Sequence, residues 1–326
     1  MKNILVLGGS GFVGAHVCEK LVRAGWNVTV ATRRRNNARN VQILPSLTVL
    51  EMDVHDELAL SQAMAGQDAV VNLVAVLHGN AARFERVHVA LVQKIVNGCL
   101  IRGVKQLVHI SALGVNAGSP DAAPSMYLRS KGRGERALAL AVQAGVEVTV
   151  LRPSVVFGQE DKFLNLFARL QKIFPVMPLA GATARFQPVW VEDVASAVVN
   201  SLGAFPRSAE PLRVFEACGP EVFTLAQLVE LSAKLAGVNE GRGRPVIALP
   251  DWAGNAQAAF MEMLPGEPLM SRDNMASMKV PNIATPGAPG LLALGITPAA
   301  LPPIAQDYLT QGQATHGLLG LRQHAH

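Results

Sequence analysis

The sequence has little of what disulfide frameworks, thiolate metal sites, nucleic-acid surfaces and membrane spans require. Its three cysteines, Cys18, Cys99 and Cys218, lie far apart in apolar segments, which predicts buried free thiols in a reducing compartment and no metal site. Only 16% of the residues are charged and, although the net charge is +5, the basic residues form no stripe. Nucleic-acid binding is therefore disfavoured. No apolar run reaches the roughly 18 residues of a transmembrane span.

The remaining composition is that of a globular protein with a large core. Half of the 326 residues are apolar, which suffices for one large α/β domain and a smaller second lobe. The chain opens directly on an apolar strand, without the segments typical of a signal peptide. We therefore expect a cytoplasmic protein, with peripheral association at the cytoplasmic membrane left open.

A glycine-rich turn follows the first strand. The apolar residues 4–7 run into Gly8-Gly9-Ser10-Gly11-Phe12-Val13-Gly14 and then into an amphipathic helix. Glycines at such a turn let the backbone approach a pyrophosphate, whose charge lies at the helix N-terminus. The spacing fits G-x-G-x-x-G from Gly9 and G-x-x-G-x-x-G from Gly8, and both registers stay open. The residues predicted to bind the dinucleotide here are Gly8, Gly11, Phe12, Val13 and Gly14.

The next strand, at 26–31, ends without a carboxylate. An NAD site usually places an acidic side chain about 20 residues beyond the glycines, but this chain has no Asp or Glu between Glu19 and Glu51. It has Arg33 and Arg34 instead, and guanidinium groups suit a 2′-phosphate. We therefore predict NADP(H) rather than NAD(H). A solvated basic loop is the alternative, and it accounts for the neighbouring Arg35 and Arg39.

Strand and helix patterns alternate down the chain. Further strands are predicted at 47–52 and 69–77, and helices at 15–24, 56–65 and 82–102. This alternation predicts a doubly wound parallel sheet, a Rossmann fold, with a smaller C-terminal α/β lobe. Ligands of such sheets bind at the carboxyl ends of the strands. The cofactor residues expected at these ends are Asp53, Val54, Leu73, Val74 and Ala75.

A tyrosine and a lysine follow the strand predicted at 106–110. Tyr127 and Lys131 are spaced i, i+4, which puts both side chains on one helix face, and the chain has just two tyrosines. An ammonium group near a phenol lowers the pKa of the phenol, so that Tyr127 exchanges a proton near neutral pH. Lys131 is also expected to hold the nicotinamide ribose. Ser111, at the strand end, is the third catalytic candidate, and all three are expected to contact the cofactor.

The last third of the sequence has the pattern of a second lobe. A strand at 147–151, a helix at 163–174 and a strand at 186–191 that returns to the sheet precede a helix at 225–236 capped by Thr224. We assign 1–155 and 186–218 to the cofactor domain, 156–185 and 219–310 to a substrate or partner lobe, and 311–326 to a frayed tail. The methionines within 242–290 indicate adaptable packing or an apolar groove for a prenyl tail or partner helix. An alternative to a frayed tail is that this segment docks on a partner or membrane surface through Leu318, Leu319 and Leu321.

Together these motifs resemble the extended short-chain dehydrogenase/reductase family in its atypical, epimerase/dehydratase-like branch. The resemblance rests on the glycine turn, Asp53-Val54, Ser111, the 127–131 pair, Leu151-Arg152-Pro153-Ser154 and Phe157-Gly158. Tyr127-Leu128-Arg129-Ser130-Lys131-Gly132-Arg133-Gly134-Glu135 and Phe157-Gly158-Gln159-Glu160-Asp161-Lys162-Phe163-Leu164-Asn165 further resemble the nucleotide-binding accessory subunit of respiratory complex I and its bacterial relatives. That resemblance implies a tightly bound NADPH kept for structural reasons, and it adds Pro153 and Val156 to the cofactor-binding residues.

One departure from the family pattern concerns catalysis. Active members carry a second Ser or Thr a residue or two beyond the position of Ser111, whereas this chain continues with Ala112-Leu113-Gly114. Losing such a donor typically costs about 10² to 10³ in rate. Two functions stay open. One is a cofactor-stabilised accessory protein linked to the respiratory NADH:quinone oxidoreductase. The other is an NADP-dependent reductase, dehydrogenase or epimerase for a small carbonyl, quinone or isoprenoid-like substrate.

Overall fold

Seven parallel strands form the central sheet, as the alternating pattern predicts. The computed structural model describes residues 2–203, 211–263 and 268–310. The sheet strands are β1 (Asn3–Leu7), β2 (Asn27–Thr32), β3 (Leu47–Glu51), β4 (Ala69–Asn72), β5 (Gln106–Ile110), β6 (Glu147–Pro153) and, later in the chain, β11 (Leu212–Ala217). Their order is β11-β6-β5-β4-β1-β2-β3. The chain thus winds from β1 to β3 in one direction and from β4 to β11 in the other, the doubly wound arrangement.

Helices cover the sheet and build the rest of the chain. They are α1 (Phe12–Arg23), α2 (Glu57–Ala63), α3 (Ala81–Phe84), α4 (Leu91–Arg102), α5 (Met126–Ala137), α6 (Ala139–Gln143), α7 (Leu164–Ile173), α8 (Val191–Leu202), α9 (Leu225–Leu235), α10 (Asp251–Met263) and α11 (Arg272–Ser277). A π-helical turn, Glu85–Ala90, joins α3 to α4, and residues 301–310 are also helical. Three 3₁₀ turns lie at Arg35–Ala38, Pro120–Ala122 and Leu291–Leu294.

The chain divides into two compact units. Of the described residues, the first contains 2–154, 191–203, 211–218 and 284–297, and the second contains 155–190, 219–263, 268–283 and 298–310. The first unit holds the seven-stranded sheet, whose core combines Leu5 and Leu7 with α4 residues such as Leu91 and Ile95. The roles predicted for the two parts, cofactor binding and substrate or partner binding, are not tested by this division and stay predictions. The predicted tail 311–326, with its leucines, lies outside the described residues.

The second unit contains three small two-stranded sheets. Their strands are β7 (Val156–Phe157), β8 (Met177–Ala180), β9 (Arg185–Phe186), β10 (Val189–Trp190), β12 (Phe223–Thr224) and β13 (Val246–Leu249). They pair as β7 with β10, β9 with β12 and β8 with β13. The predicted return of 186–191 to the central sheet is therefore wrong. Pro188 separates two short strands because proline has no N–H to donate to a ladder, and β11 supplies the last sheet strand instead.

The fourth strand is shorter than predicted. It ends at Asn72, and 73–77 form an irregular loop rather than the end of the strand. The Asn72 side chain accounts for this end, because its Oδ1 accepts a hydrogen bond from the Val74 N–H at 3.1 Å. Such Asn side chains compete with strand ladders for backbone donors.

Three local predictions can be compared directly with the structure. Cys18, Cys99 and Cys218 are buried free thiols, as predicted. Met275 is buried against Ala180 and Ala258, which is the packing role expected of a flexible apolar side chain. Over the described ranges, we find no helix with the length and apolarity that crossing a bilayer requires.

Candidate functional site

The glycine turn between β1 and α1 depends on two glycines above all. Gly8 has a φ of +85°, a conformation that side chains with a Cβ rarely adopt. A Cβ on Gly14 would lie 2.2 Å from the Gly8 carbonyl oxygen, so the first turn of α1 fits over the loop only without a side chain. The Gly11 N–H donates to the same oxygen at 3.1 Å. The register that begins at Gly8 therefore describes the turn itself.

Gly9 has a different role, in packing. A Cβ there would lie 2.9 Å from Val30 Cγ2 and 3.0 Å from Cys18 Sγ. Gly9 thus lets the loop lie directly on β2 and α1. The two overlapping glycine patterns reflect two requirements, a left-handed turn at Gly8 and close packing at Gly9.

The first turn of α1 presents free backbone donors. Gly11 is its N-cap residue and provides no side-chain cap, and Phe12 and Val13 follow it as the first helical residues. The uncapped N–H groups and the helix dipole favour an anion at this end. Gly11 is exposed, whereas Phe12 and Val13 are partly buried. This geometry suits a pyrophosphate that approaches the bare backbone.

The carboxyl end of β2 carries exposed positive charge. Arg33 and Arg34 directly follow the strand, and both side chains are exposed. The nearest acidic side chain on the neighbouring strand is Glu51, the register partner of Thr32. Its Oε2 accepts the Arg35 backbone N–H at 2.9 Å, so this carboxylate holds the loop after β2. The sequence analysis did not identify this contact, because Glu51 and Arg35 belong to different strand ends.

Asp53 and Val54 follow β3 as predicted. Asp53 Oδ1 accepts the His55 N–H at 3.0 Å, which fixes a turn at the strand end. The Arg86 Nη2 lies 3.8 Å from Asp53 Oδ2 in an exposed ion pair. Val54 is buried in the core of the first unit.

The turn after β4 lies against the glycine turn. A Cβ on Gly8 would be 3.2 Å from the carbonyl carbon of Leu73, and the Leu73 N–H donates to the Leu7 oxygen at 2.9 Å. Leu73 and Val74 are partly buried, and Ala75 is exposed. The structure therefore brings together Gly8 and Leu73, two residues that the sequence assigned separately to the cofactor.

Lys131 reaches the carboxyl end of β5. Its side chain is buried, and Nζ donates to the Ile110 carbonyl oxygen at 2.8 Å, next to Ser111. Burial lowers the pKa of Lys131 to about 8, against the opposing effect of the Glu135 carboxylate. Ser111 is buried as well, and its Oγ has no hydrogen-bond partner among the described residues. Lys131 Nζ thus lies at the end of β5, the strand that Ser111 follows.

The expected lowering of the Tyr127 pKa is not found. Tyr127 and Lys131 lie four residues apart on α5, as the spacing predicts, but burial raises the pKa of Tyr127 to about 12. Desolvation disfavours the charged phenolate, and it is the dominant effect at Tyr127. The neutral phenol is the dominant form at neutral pH.

The residues after Ser111 are buried and apolar. Ala112 is 7% exposed and Leu113 is 2% exposed, so no hydroxyl occupies these positions. Ser125 is the N-cap residue of α5, and its Oγ accepts the Leu128 N–H at 3.2 Å. Ser119 is exposed on the loop before α5. The departure from the family pattern is therefore a structural one as well.

The two remaining predicted cofactor residues lie in different units. Pro153 ends β6, and its carbonyl oxygen accepts the Leu113 N–H at 3.0 Å, which places it beside the segment after Ser111. Val156 lies in β7, in the second unit.

Three buried polar groups near α5 were missed. His88 binds the Val76 backbone and Ser130, His109 Nδ1 accepts from Asn72 Nδ2 at 3.1 Å, and Glu135 pairs with Arg152. His88 belongs to none of the motifs in the sequence, and buried contacts between distant residues leave no local pattern. A general signal was present, since buried ionisable residues near a strand end often belong to functional sites.

The first unit fits a dinucleotide on three independent observations. Gly14 allows the helix to approach the turn, the start of α1 presents uncapped amides, and the Ser111 hydroxyl is a buried polar group without a partner in the described chain. No group of three or more potential metal-binding side chains occurs within the described ranges.

Comparison with protein families gives one extended match. The family model described as NAD dependent epimerase/dehydratase family matches residues 4–215, about two thirds of the chain.

Two curated relatives share the name of a mitochondrial NADH dehydrogenase subunit. NADH dehydrogenase (ubiquinone) 1 alpha subcomplex subunit 9, mitochondrial, of Arabidopsis thaliana is 30% identical over 69% of this chain and 56% of its own length. The Mus musculus protein of the same name is 29% identical over 91% of this chain and 76% of its own length. The chain thus spans little more than half of the plant relative and about three quarters of the mouse relative.

A solved structure shares the fold. UDP-glucuronic acid 4-epimerase from Bacillus cereus, in complex with UDP-glucuronic acid and NAD, is similar with a TM-score of 0.66. The match covers 95% of this chain and 99% of that chain at 18% identity. Similarity at this identity shows the fold alone.

Proposed function

Because this chain belongs to the NAD dependent epimerase/dehydratase family, we propose that it binds NADP(H) rather than NAD(H) in its first unit. The pyrophosphate would lie at the glycine turn and the start of α1, with Asp53 and Val54 toward the adenine. Leu73, Val74 and Ala75 would line the path to the nicotinamide, and Lys131 would hold its ribose. Pro153 completes the set in the first unit, and Val156, which lies in the second unit, stays a prediction.

The charge at the end of β2 supports the choice of NADP(H). Arg33 and Arg34 are exposed there, and the nearby Glu51 carboxylate accepts the Arg35 amide. A 2′-phosphate adds negative charge and acceptor oxygens that guanidinium groups bind strongly. An NAD site would instead place a carboxylate at the ribose 2′-hydroxyl.

We further propose that the cofactor is a structural ligand in a protein linked to the respiratory NADH:quinone oxidoreductase. One observation carries this part, namely that Ala112 and Leu113 fill the positions after Ser111 with buried apolar side chains. A ligand that binds only the folded state stabilises it by mass action, so tight binding needs no turnover. The named relatives support the respiratory link, and the protein would associate peripherally with the membrane that holds its partner.

An active NADP-dependent reductase, dehydrogenase or epimerase is the second candidate. It is favoured by the Lys131 Nζ hydrogen bond to Ile110, which holds the ammonium on the face of α5 that also carries Tyr127. In that function Tyr127 would give a proton to a substrate oxygen, and Lys131 would restrain the ribose. A bound nicotinamide supplies or accepts a hydride. Substrates would be small carbonyl compounds, quinones or isoprenoid-like molecules.

The test is purification without added nucleotide, followed by mass spectrometry of the released ligand and assays of its oxidation by quinones and carbonyl compounds. The structural proposal expects co-purified NADPH that none of these compounds oxidises. Steady oxidation that disappears in Tyr127→Phe would establish the enzyme instead. Co-purified NAD(H), with no preference for NADP(H) in titration, would contradict the cofactor assignment.

A further inference from the structure

The segment before α4 departs from regular α-helix next to the candidate site. Glu85–Ala90 form a π-helical turn, and His88 at its centre is 2% exposed. Single π-helical turns inside longer helices occur frequently at functional sites. Such a turn shifts the side chains that follow it, and here it presents His88 to α5.

His88 forms hydrogen bonds with both ring nitrogens. Its Nε2 accepts the Val76 N–H at 3.1 Å, in the loop after β4. Its Nδ1 lies 2.8 Å from Ser130 Oγ, and that hydroxyl donates to the Tyr127 carbonyl oxygen at 2.8 Å. These contacts are consistent with one tautomer only, in which Nδ1 carries the proton and donates to Ser130.

The aromatic rings around Tyr127 form part of the same contact. The His88 ring meets the Tyr127 ring edge to face at 5.5 Å between centroids, and Phe84 stacks on His88 at 5.6 Å. Phe84 also meets Tyr127 edge to face at 6.2 Å. Such pairs contribute about 0.5 to 1.5 kcal/mol beyond burial, and they restrict the orientation of the ring.

A glycine brings the two helical segments close. A Cβ on Gly134 would lie 2.1 Å from the His88 carbonyl oxygen, so α5 approaches the π-helical turn with bare backbone. His88 therefore approaches α5 with its backbone at Gly134 and contacts it with its ring at Ser130 and Tyr127.

We propose that His88 is a positioning residue that fixes Tyr127 on α5 relative to the loop after β4. The proposal rests on the proposed function, because that loop would line the nicotinamide end of the dinucleotide through Leu73, Val74 and Ala75. His88 touches neither substrate nor cofactor in this role. It acts by joining the Val76 amide to Ser130 through one rigid ring.

The charge state of His88 suits this role. Burial and the nearby Lys131 ammonium lower its pKa to about 2, with a further contribution from His109. Nε2 therefore stays an acceptor throughout the ordinary pH range. A protonated ring would lose the Val76 hydrogen bond, and the surroundings prevent this.

The experiment compares His88→Leu, His88→Gln and the control Val89→Ala. Leucine forms neither hydrogen bond, whereas the glutamine amide has both an acceptor and a donor. Val89 is a buried apolar neighbour in the same turn, so its truncation reports loss of packing alone. Three quantities are measured: hydrogen exchange of the Val76 amide, NMR shifts of labelled tyrosine rings, and the Kd for NADPH. Tyr308 is the second of two tyrosines and serves as the reference signal.

We expect His88→Leu to speed exchange at Val76 and weaken NADPH binding, each by roughly tenfold, the effect of about one lost hydrogen bond. It should also shift the Tyr127 signals while those of Tyr308 stay in place. His88→Gln should restore most of the binding. Val89→Ala should leave the Tyr127 signals and the Kd close to wild type.

The proposal is overturned when His88→Leu and Val89→Ala give the same tyrosine shifts and the same Kd. If wild-type protein binds no NADPH, the proposed function fails, but Val76 exchange and the Tyr127 signals still decide the role of His88. Should His88→Leu not fold, Ser130→Ala replaces it, since it breaks the α5 side alone. A Tyr127 shift with Val76 protection retained then supports the proposal, and unchanged Tyr127 signals contradict it.

Discussion

Glu135 and Arg152 form a two-point ion pair inside the first unit. Arg152 Nε lies 3.0 Å from Glu135 Oε1, and Nη2 lies 2.6 Å from Oε2. The side chain of Glu135 is 4% exposed and that of Arg152 is 18% exposed, so solvent screens the pair weakly. Glu135 follows Lys131 by one turn of α5, and Arg152 lies in β6. The pair therefore joins this helix to the central sheet one helical turn from Lys131.

Removing the carboxylate should therefore be costly. We expect Glu135→Gln to lower the free energy of unfolding by about 3 kcal/mol, because it removes the carboxylate that forms both hydrogen bonds with the half-buried Arg152 guanidinium. Urea unfolding measures this change. Glu262→Gln, which breaks the exposed pair with Arg272, is the control and should cost less than about 1 kcal/mol. Equal losses in the two variants would contradict the importance of burial.

The buried Lys131 should make the free energy of unfolding depend on pH in the alkaline range. Burial lowers its pKa from 10.5 to about 8 in the folded state, so the unfolded chain binds the proton more tightly. The free energy of unfolding contributed by this group therefore rises as pH increases from about 8 to 10.5, by an amount on the order of 3 kcal/mol. Below that window the penalty is fully present and constant.

The measurement compares wild type with Lys131→Met by urea unfolding at several pH values. The wild type should gain on the variant across this window, whereas the exposed Lys234→Met should keep a constant difference from wild type. A constant difference for Lys131→Met as well would show that burial does not perturb its titration.

Arg33 should determine the choice between the two dinucleotides. We expect Arg33→Asp to weaken NADPH binding by roughly 10- to 100-fold, the effect of a lost charged hydrogen bond, and to change NADH binding little. Titration by NADPH and NADH fluorescence gives both Kd values. Arg39→Asp carries the same change of charge on an exposed residue farther along the loop, and it should leave the ratio of the two Kd values near wild type. Equal loss of both cofactors in Arg33→Asp would contradict the assignment.

Gly14 should tolerate no side chain. A Cβ there would lie 2.2 Å from the Gly8 oxygen and 2.7 Å from the Gly9 Cα, both backbone atoms that can move only if the turn opens. Gly14→Ala should therefore lower the midpoint of thermal unfolding by several degrees and abolish dinucleotide binding. At Gly203 the nearest atom to a Cβ is 3.5 Å away, so Gly203→Ala should change neither quantity. Unimpaired binding in Gly14→Ala would contradict the role of the turn.

Local signals predicted most of the first unit. The glycine turn, the alternating apolar runs and the i, i+4 spacing on α5 each involve residues close in sequence, where backbone geometry leaves a pattern. Thr224 shows the same in the second unit, since its hydroxyl accepts the Gln227 N–H and the Gln227 side chain accepts the Thr224 N–H in return. Both partners of that capping box lie within one helical turn.

Contacts between residues that lie far apart in the sequence were not predicted. His88 and Ser130 are 42 residues apart, and Glu216 lies 69 residues from Thr285, whose N–H and hydroxyl both donate to the Glu216 carboxylate. The second contact ties 284–297 into the first unit, although the composition of that segment resembles its neighbours. The opposite error occurred at Tyr127, where spacing predicted a lowered pKa and burial raised it. Desolvation depends on the whole surrounding fold and therefore leaves no sequence motif.

The central place of β1 in the sheet has a consequence for the order in which the site can open. β1 is paired on both sides, with β2 and β4, whereas β3 forms an edge of the sheet. Backbone amides of β1 should then exchange with solvent only on global unfolding, while those near β3 exchange through cheaper local openings. In native-state hydrogen exchange, amides at the adenine end of the proposed site would therefore lose protection first. A bound dinucleotide would then dissociate from its adenine end, at the sheet edge, while the pyrophosphate turn stays formed.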